Sequence, residues 1–454
     1  SAAEMAAKGE LGIEIEVDKV PRRESGMEPF EVMISESQER MLAVVEPDKV
    51  DEVLKLAERY ELVGAVVGRV AGHGDLRVLQ DGEVVGTVPA GILADAPAYE
   101  RKVSRPDYLD GIPALDLDFG KLPPPDDYKA TLLKMLSHPN LCSRRSIWEQ
   151  YDHEVGTNTV VPPGADAAVM RIKGTKRGFA ITTDGRGRHC YLDPRGGGAA
   201  TVAEAYRNLS CVGAEPVALT DCLNFGSPEK KAPYYQLAEC IEGMSGACEA
   251  FGTPVVSGNV SLYNETADGA IYPTPTVGMV GVLGDVTRHA TSGFKREGDV
   301  ILTVGDFRPA LDGSEYLEII HGEVAGLPRR PDLDAEKRVA DAVRRAIEEG
   351  MLDTAHDLSG GGLAVALVKM ALSGGFGAEV QLLPGGRQDV SLFGETGGCT
   401  IVAVPGERLE VLEAALGDVP HNKVGRVGGD RLKVAGVEVK LSELREAYER
   451  DLFS

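Results

Sequence analysis

The sequence predicts an α+β or α/β protein in which one folding module occurs twice and the first copy is incomplete. Two observations predict this fold class. Segments with the periodicity of strands alternate with segments of helical periodicity. Several blocks near the start of the chain also recur in the same order near its end. Two copies are too few for a solenoid, so the repeat indicates a duplicated domain.

The repeat depends on three pairs of matching segments. Residues 1–17 match 366–382, residues 34–50 match 393–409, and residues 66–78 match 423–434. Glu36 of the first copy thereby falls on Glu395 of the second. Ser1 aligns with Ala366, whereas the second copy begins near Asp299. We therefore expect an N-terminally truncated first copy that lacks roughly 65 to 75 residues of its fold, in a chain that is the C-terminal part of a longer protein.

The repeat and the local composition divide the chain into four parts. Residues 1–92 are the later part of the first copy, 93–139 a proline-rich connector, 140–295 a distinct domain, and 296–454 the second copy. Strands are predicted at 12–17, 41–45, 64–70, 168–172, 178–183, 216–222, 253–263, 276–283, 300–304, 378–382, 399–404, 422–427 and 437–441. Helices are predicted at 1–9, 49–59, 128–137, 198–212, 235–251, 334–349, 362–373, 407–416 and 441–451.

Composition excludes some classes of partner. The chain carries 71 acidic and 48 basic side chains, a net charge of −23, which argues against nucleic acid or an anionic membrane as a partner. No apolar run reaches the length of about 18 residues that a membrane span needs. The seven cysteines are scattered without a CxxC motif, which is typical of reduced thiols in a cytoplasmic protein.

Two neighbouring motifs in the middle domain carry polar residues at strand ends. ALTDCLNFG places Asp221 late in an apolar strand, and VVSGNVSLYNET places Gly258, Asn259 and Ser261 in an extended segment. Asparagine offers a hard oxygen ligand, serine a hydroxyl group, and glycine room for a ligand close to the backbone. The simpler interpretations are a helix cap for Asp221 and a strand that leads into a turn for the second motif.

Two glycine-rich segments could each bind a phosphate. HDLSGGGLAVALVKMA combines Asp357 with a tight turn and a helix N-terminus, where free N–H groups favour an anion and Asp357 could hold Mg²⁺ beside it. The alternative is a turn in which the aspartate caps the helix. DGRGRHCYLDPRGGG precedes the helix at 198–212 and places His189 in a predicted loop, where a surface histidine is the simpler expectation than a base.

A nucleotide at these acidic positions needs a metal ion. A phosphate placed 4 Å from a carboxylate costs about 4 kcal/mol at an effective dielectric constant near 20, so a divalent ion must bridge Asp221 or Asp357 to it. The P-loop motif GxxxxGK[ST] does not occur in the sequence.

The block SESQER differs between the two copies. Its counterpart is GETGGC, so Glu36 persists whereas Gln38 and Arg40 are replaced. This difference suggests that the two copies have different tasks, although a solvated strand end explains the block equally well.

Together these motifs carry a family resemblance. GMEPFEVMISESQERML, RNLSCVGAEPVALTDCLNFGSPEK, SGNVSLYNET and DLSGGGLAVALVKMA resemble the synthetase subunit of phosphoribosylformylglycinamidine synthase of the small, multi-subunit type. The resemblance covers essentially the whole chain. It implies a tandem-duplicated aminoimidazole ribonucleotide synthetase-like fold with domains in the order A1, B1, A2, B2. This chain then comprises the back of B1, the A2 domain (140–295) and the B2 domain (296–454).

The resemblance implies an ATP-dependent ligase of purine biosynthesis. Formylglycinamide ribonucleotide, ATP and ammonia would give the amidine, ADP and phosphate through an iminophosphate, with Mg²⁺ as cofactor. A glutaminase subunit would supply the ammonia and a small third subunit would bridge the two. The implied roles are substrate binding for Glu36, Ser37, Gln38 and Ser261, ATP binding for Asp221 and Gly258, and metal binding for Asn259 and Asp357, the last at an auxiliary nucleotide site.

The resemblance also predicts that this chain alone is inactive. The catalytic histidine of the family lies in A1, in the part expected before residue 1. In DGRGRHC the equivalent position holds Gly187, and His189 matches only a second histidine of that segment. Two alternatives remain at this point. One is another superfamily member, such as a selenophosphate synthetase or a thiamine-monophosphate kinase, which the duplication and SESQER disfavour. The other is a nucleotide-binding structural half without turnover.

Overall fold

The computed structural model forms two compact units, Ser1–Lys102 and Val103–Ser454. It describes residues 2–36, 40–95, 98, 101–112, 115, 117, 121–382, 386–450 and 452. The helices of the first unit are α1 (Ala2–Lys8), α2 (Pro29–Ile34), α3 (Val50–Arg59) and α4 (Ala90–Ala94), and its strands are β1 (Gly12–Glu16), β2 (Gly68–Ala71), β3 (Asp75–Gln80) and β4 (Glu83–Pro89). Short 3-10 helices lie at Val17–Lys19 and Pro47–Lys49.

The first unit is built on a four-stranded sheet in the order β2-β1-β3-β4. Strand β1 alternates apolar and acidic residues, so Ile13 and Ile15 are buried while Glu14 lies on the opposite face. The buried cluster beneath the sheet comprises Ala3, Ala6, Ile13, Ile15, Leu76 and Ala90. Helix α3 buries none of its residues.

The second unit begins with the connector helix and the A2 domain. Its helices are α5 (Tyr128–Leu136), α6 (Arg145–Trp148), α7 (Gly187–Leu192), α8 (Pro194–Cys211) and α9 (Lys231–Phe251). Its strands are β5 (Thr159–Val161), β6 (Ala168–Arg171), β7 (Gly178–Gly185), β8 (Glu215–Asn224), β9 (Val255–Ser261), β10 (Glu265–Thr266), β11 (Gly269–Ala270) and β12 (Thr274–Leu283). Six of these strands form a sheet in the order β5-β6-β7-β12-β8-β9, which leaves β9 at an edge.

The glycines before residue 200 serve helix packing, which corrects the predicted phosphate loop. DGRGRHCYLDPRGGG folds largely as α7 and the first turn of α8, so His189 lies on a helix rather than in a loop. A Cβ at Gly197 would lie 2.5 Å from the backbone of Cys190, and one at Gly198 would lie 2.4 Å from the carbonyl of Cys240. Glycine is therefore needed because the helices α7, α8 and α9 approach each other closely.

The B2 domain completes the second unit. Its strands are β13 (Val300–Gly305), β14 (Ala355–Asp357), β15 (Ala378–Val380), β16 (Cys399–Val404), β17 (His421–Val427), β18 (Arg431–Val434) and β19 (Val437–Lys440). Its helices are α10 (Glu315–His321), α11 (Leu333–Glu348), α12 (Gly362–Gly374), α13 (Gln388–Phe393), α14 (Leu409–Leu416) and α15 (Leu441–Tyr448). The seven strands form one sheet in the order β14-β16-β13-β17-β15-β18-β19. Leu132, Met135 and Leu136 of the connector helix α5 join the larger core of this domain.

The two copies share strand order and register, which confirms the duplication. The order β2-β1-β3-β4 in the first copy corresponds to β17-β15-β18-β19 in the second. Glu14 lies opposite Arg69 as Glu379 lies opposite Arg426. Both pairings require a glycine, because a Cβ at Gly68 would lie 1.9 Å from the carbonyl of Glu14, and the same contact recurs at Gly425.

One predicted strand of the first copy is wrong. Residues 41–45 have no regular structure, and Met41 is 90% exposed. In the second copy the matching segment is β16, which is buried throughout because it lies between β13 and β14. Among the described residues of the first unit, the sheet β2-β1-β3-β4 does not include this segment.

Several short elements escaped the sequence analysis. These are the strands β3, β4, β5, β10, β11, β14 and β18 and the helices α2, α4, α6, α7, α10 and α13. The strand predicted at 64–70 begins only at Gly68, and the strand predicted at 253–263 is limited to Val255–Ser261. In the described part of the chain, none of the helices combines the length and apolar character that crossing a membrane requires.

Candidate functional site

Neighbouring parallel strands bring four of the predicted site residues together. Strands β8 and β9 pair so that Asp221 lies beside Gly258, Cys222 beside Asn259 and Asn224 beside Ser261. Because β9 is the edge strand of its sheet, Gly258 and Asn259 are exposed to solvent. The fold thus brings these four residues onto adjacent positions of two strands, and their roles in binding ATP, metal and substrate stay predictions.

Asp221 lies directly over Gly258. A Cβ at position 258 would lie 2.1 Å from the Asp221 Oδ1 atom, so only glycine leaves space for this carboxylate. Asp221 is half-buried, and burial raises the pKa of its carboxyl group. Beside it, the hydroxyl groups of Thr220 and Ser257 share a hydrogen bond of 2.8 Å across the two strands. Because successive side chains of a strand point to opposite faces, the Asp221 carboxylate lies on one face of this strand edge and the Thr220 and Ser257 hydroxyl groups lie on the other.

Asn264 fixes Ser261 at the end of β9. Its Nδ2 atom donates to the Ser261 carbonyl at 2.8 Å and lies 3.1 Å from the Ser261 hydroxyl oxygen. The same amide group donates to the carbonyl of Phe225 at 3.1 Å, which ties the ends of β8 and β9 together. The Ser261 hydroxyl is thus held in place without a ligand.

This edge fits a magnesium ion that arrives with a nucleotide. Asn259 is an exposed oxygen donor of the kind that Mg²⁺ prefers, whereas the Asp221 side chain, one register position earlier, lies on the opposite face of the sheet. Mg²⁺ usually takes its remaining ligands from water and phosphate. Throughout the described ranges, no group of three or more His, Cys, Asp or Glu side chains could hold a metal ion by itself. The residues therefore suit a shared metal–nucleotide site better than a dedicated metal cage.

Asp357 lies in a separate, closed cluster. It is 2% exposed, and its two carboxylate oxygens accept hydrogen bonds from Arg207 at 2.6 and 3.4 Å. Arg207 also donates to Glu336 at 2.5 Å, and the Asp357 N–H donates to Asp166 at 2.8 Å. Burial raises the pKa of Asp357 to about 6, against the opposing effect of the Arg207 charge.

This cluster does not fit the metal-binding role predicted for Asp357. A guanidinium group already occupies both oxygens that a cation would use, and the ion pair is shielded from solvent. Arg207 would have to withdraw before Asp357 could coordinate a metal. The metal-binding role of Asp357 stays a prediction, and the geometry sets this condition on it.

Glu395 occupies the helix N-terminus that was predicted to attract a phosphate. Its Oε1 atom accepts hydrogen bonds from the N–H of Gly361, at the start of α12, at 3.1 Å and from the N–H of Glu315 at 2.9 Å. Its Oε2 atom lies 3.5 Å from His189 and 3.6 Å from Arg186. Burial alone would raise the pKa of Glu395, but His189 and Arg186 lower it to about 2. The anion at this helix end is thus the protein's own carboxylate.

The same residues border a cavity of about 410 Å³ inside the second unit. Its lining includes Asp184, Arg186, His189, Tyr272, Glu315 and Glu395. Arg186 pairs with Glu204, and Arg188 pairs with Glu315 and Glu318. Because the duplication matches Glu395 to Glu36, this cavity is the second copy's counterpart of the region predicted to bind substrate. The acidic and basic side chains that line the cavity neutralise one another.

The remaining predicted site residues lie in the first unit. Glu36 is exposed two positions after helix α2, as Glu395 follows α13. Ser37 and Gln38 lie outside the described residues.

Sequence reasoning missed three residues that organise these sites. Asn264 lies within the quoted motif SGNVSLYNET, and its amide next to a turn was the available signal. Arg207 and Arg186 gave no usable signal, because their partners are far away in sequence. Arg207 and Asp357, for example, are 150 positions apart.

Comparison with known proteins supports the duplication and the domain types. The model of the AIR synthase related protein, N-terminal domain, matches residues 164–283. The model of the AIR synthase related protein, C-terminal domain, matches twice, at residues 1–81 and 296–437.

Relatives share the sequence and the architecture. The phosphoribosylformylglycinamidine synthase subunit PurL of Moorella thermoacetica is 50% identical over 437 residues, covering 96% of this chain and 59% of the relative. The structure of T. maritima PurL complexed with ADP matches with a TM-score of 0.66 at 31% identity, covering 94% of this chain and 61% of that chain. T. maritima PurL complexed with FGAR matches with a TM-score of 0.65 at 30% identity and the same coverage of this chain. The chain thus spans about 59% of the length of a curated relative.

These matches agree with the repeated sheet topology and with the site on β8 and β9. The chain belongs to the AIR synthase related family, and within that family it is similar to PurL subunits of phosphoribosylformylglycinamidine synthase.

Proposed function

We propose that this chain is the larger part of an ATP-dependent ligase that converts formylglycinamide ribonucleotide and ammonia to the amidine, with release of ADP and phosphate. ATP transfers its terminal phosphoryl group to the amide oxygen of the substrate, and ammonia then displaces that phosphate from the iminophosphate. The observation that carries the proposal is the arrangement of Asp221, Gly258, Asn259 and Ser261 on two neighbouring strands.

Each of these residues has a task that its geometry supports. Gly258 leaves space for the Asp221 carboxylate beside the nucleotide, and Asn259 is an exposed oxygen donor for Mg²⁺. Mg²⁺, when bound, neutralises phosphate charge that the carboxylate would otherwise repel. Ser261, held by Asn264, orients the substrate amide. Glu36, Ser37 and Gln38 of the first copy keep their predicted role in substrate binding.

The complete reaction needs more than these residues. The chain covers 59% of its Moorella relative, and the position equivalent to the family's catalytic histidine holds Gly187. The full-length gene product containing this chain is therefore the proposed catalyst, and the 454 residues alone are expected to be inactive. A glutaminase subunit and a small bridging subunit are its proposed partners, with ammonia delivered by the glutaminase.

The alternative of a nucleotide-holding structural half receives less support. That alternative places the nucleotide at Asp357, where Arg207 already neutralises the carboxylate and the surroundings are closed. The superfamily alternatives, selenophosphate synthetase and thiamine-monophosphate kinase, receive no support from PurL relatives that match nearly the whole of this chain.

An activity assay on the full-length gene product tests the proposal. With formylglycinamide ribonucleotide, ATP, Mg²⁺ and ammonium chloride, the wild-type protein should form the amidine. Asn259→Ala should lower kcat/KM at least about a hundredfold and raise the Mg²⁺ requirement, because a metal ligand is lost. Asp268→Asn, in the nearby β10–β11 turn, is the control and should behave as wild type. Absence of amidine from the wild-type protein, or full activity in Asn259→Ala, would contradict the proposal.

A further inference from the structure

Tyr263 is an exposed aromatic residue next to the candidate site. It follows Ser261 by two positions, and 60% of its surface is exposed. Strand β9 ends at Ser261, so Tyr263 belongs to the turn that follows the strand. The tyrosine therefore lies directly beyond the Ser261 end of the candidate site.

The backbone of Tyr263 adopts a conformation that disfavours any side chain. Its φ angle is +60°, in the left-handed region that glycine adopts readily and a bulky residue rarely does. Strain of this kind persists only where the surrounding structure enforces it, and such residues are concentrated at functional sites.

The turn around Tyr263 is enforced from both sides. Asn264 bonds to Ser261 and Phe225, as described above, and the Asn264 N–H also donates to the Phe225 carbonyl at 3.2 Å. One position further on, Glu265 accepts hydrogen bonds from the Ser227 N–H at 3.0 Å and from Lys230 at 2.5 Å. The loop after β8 is thereby fastened to the turn after β9, and the tyrosine is presented at a fixed position.

The chemistry around the phenol indicates what it would bind. The Tyr263 hydroxyl donates to the Glu229 carboxylate at 3.5 Å, a distance that marks a weak bond. A phosphate group beside Glu229 would be repelled by its charge. A carboxylate and a phenol together instead suit neutral hydroxyl donors, such as those of a sugar.

We propose that Tyr263 is a substrate-binding residue that, together with Glu229, contacts the ribose hydroxyl groups of the nucleotide whose amide Ser261 orients. This inference rests on the proposed function. It explains why a strained tyrosine, rather than glycine, stands at this turn.

Steady-state kinetics and thermal unfolding of the full-length gene product test the proposal. Tyr263→Gly should raise KM for formylglycinamide ribonucleotide about tenfold or more, with KM for ATP unchanged. Its unfolding midpoint should equal or exceed that of wild type, because glycine relieves the positive φ. Tyr263→Phe should raise the substrate KM about three- to tenfold through loss of the hydroxyl. Tyr151→Phe, a change at another exposed tyrosine, should leave both KM values unchanged.

The outcomes separate this inference from the proposed function. If wild type forms the amidine while the Tyr263 variants keep its substrate KM, the inference alone is overturned. A parallel rise in KM for ATP, or a clearly lower unfolding midpoint in Tyr263→Gly, would overturn it as well, since either result would indicate a structural role. If wild type forms no amidine, the proposed function fails and this inference fails with it.

Discussion

Two aspartates that were both predicted to serve a nucleotide lie in opposite surroundings. Asp221 stands on β8 beside the edge strand β9, half-buried and next to solvent-exposed donors. Asp357 lies in the interior, with both oxygens bound to Arg207. A carboxylate can serve a ligand only if its oxygens are free to meet it. The comparison therefore identifies the β8–β9 edge as the open site and the Asp357 cluster as an internal brace between α8 and β14.

The largest expected effect is on the stability of the brace. Arg207→Ala leaves Asp357 and Glu336 buried without their cation, and loss of one partner of a buried ion pair costs about 3–5 kcal/mol. Asp221→Asn should change the free energy of unfolding by no more than about 0.5 kcal/mol, as for most substitutions away from the core. Urea unfolding of the second unit measures both. A stable Arg207→Ala protein would contradict the description of this cluster as a brace.

A pH profile extends the comparison to Glu395, the carboxylate at the N-terminus of α12 that lines the neighbouring cavity. Its pKa is lowered from 4.5 to about 2, so its carboxylate stabilises the fold fully above pH 4.5, and that contribution is lost as the pH falls from 4.5 towards 2. Glu395→Gln should therefore be less stable than wild type at pH 7, by on the order of 3 kcal/mol, and the difference should vanish near pH 2.

Denaturant unfolding of wild type and Glu395→Gln at a series of pH values measures this difference. Glu410→Gln, an exposed substitution on α14, is the control and should follow wild type at every pH. The stability difference between wild type and Glu395→Gln could instead stay constant with pH. That result would show that the charge of the Glu395 carboxylate does not stabilise the fold.

The smallest expected effect is the difference in stability loss between alanine substitutions at two glycines near these aspartates. Gly362 has a φ of +71°, and a Cβ there would lie 2.5 Å from the Gly394 carbonyl, so Gly362→Ala should cost about 1–3 kcal/mol. At Gly258 the nearest obstacle is the movable Asp221 carboxylate. Gly258→Ala should therefore cost less than about 1 kcal/mol while it weakens nucleotide binding. Denaturant unfolding measures the stability of both variants, and calorimetric titration measures their nucleotide binding. Gly406→Ala, where nothing obstructs a Cβ, is the control. Equal losses of stability would contradict it.

The repeated topology was predictable from the sequence because it depends on local pattern. Glycines at sheet contacts and alternating apolar residues recur in both copies, and the register of Glu14 and Glu379 follows from them. Long helices were predicted to within a few residues, as for α9, which is Lys231–Phe251 against the predicted 235–251. The four residues of the β8–β9 site were also predictable, because their motifs end adjacent strands.

What the sequence could not supply is tertiary context. Segments 41–45 and 399–404 have similar patterns, yet only the second is a strand, because in the described ranges only the second pairs with neighbouring strands. The glycines near residue 197 suggested a phosphate loop. Glycine is needed there instead because helices pack closely, and a Cβ at Gly197 would lie 2.5 Å from the backbone nitrogen of Cys190. The ion pair between Asp357 and Arg207 joins residues from different domains, which no local pattern reveals.

We expect nucleotide to bind at the β8–β9 edge and not at Asp357. Isothermal titration of Mg²⁺ and ADP into the full-length gene product tests this expectation. The Asp221→Asn and Asp357→Asn variants are compared under conditions where circular dichroism shows that both are folded. We expect Asp221→Asn to weaken binding at least about tenfold, whereas Asp357→Asn should stay within about twofold of wild type. Loss of binding in Asp357→Asn with full binding in Asp221→Asn would contradict it.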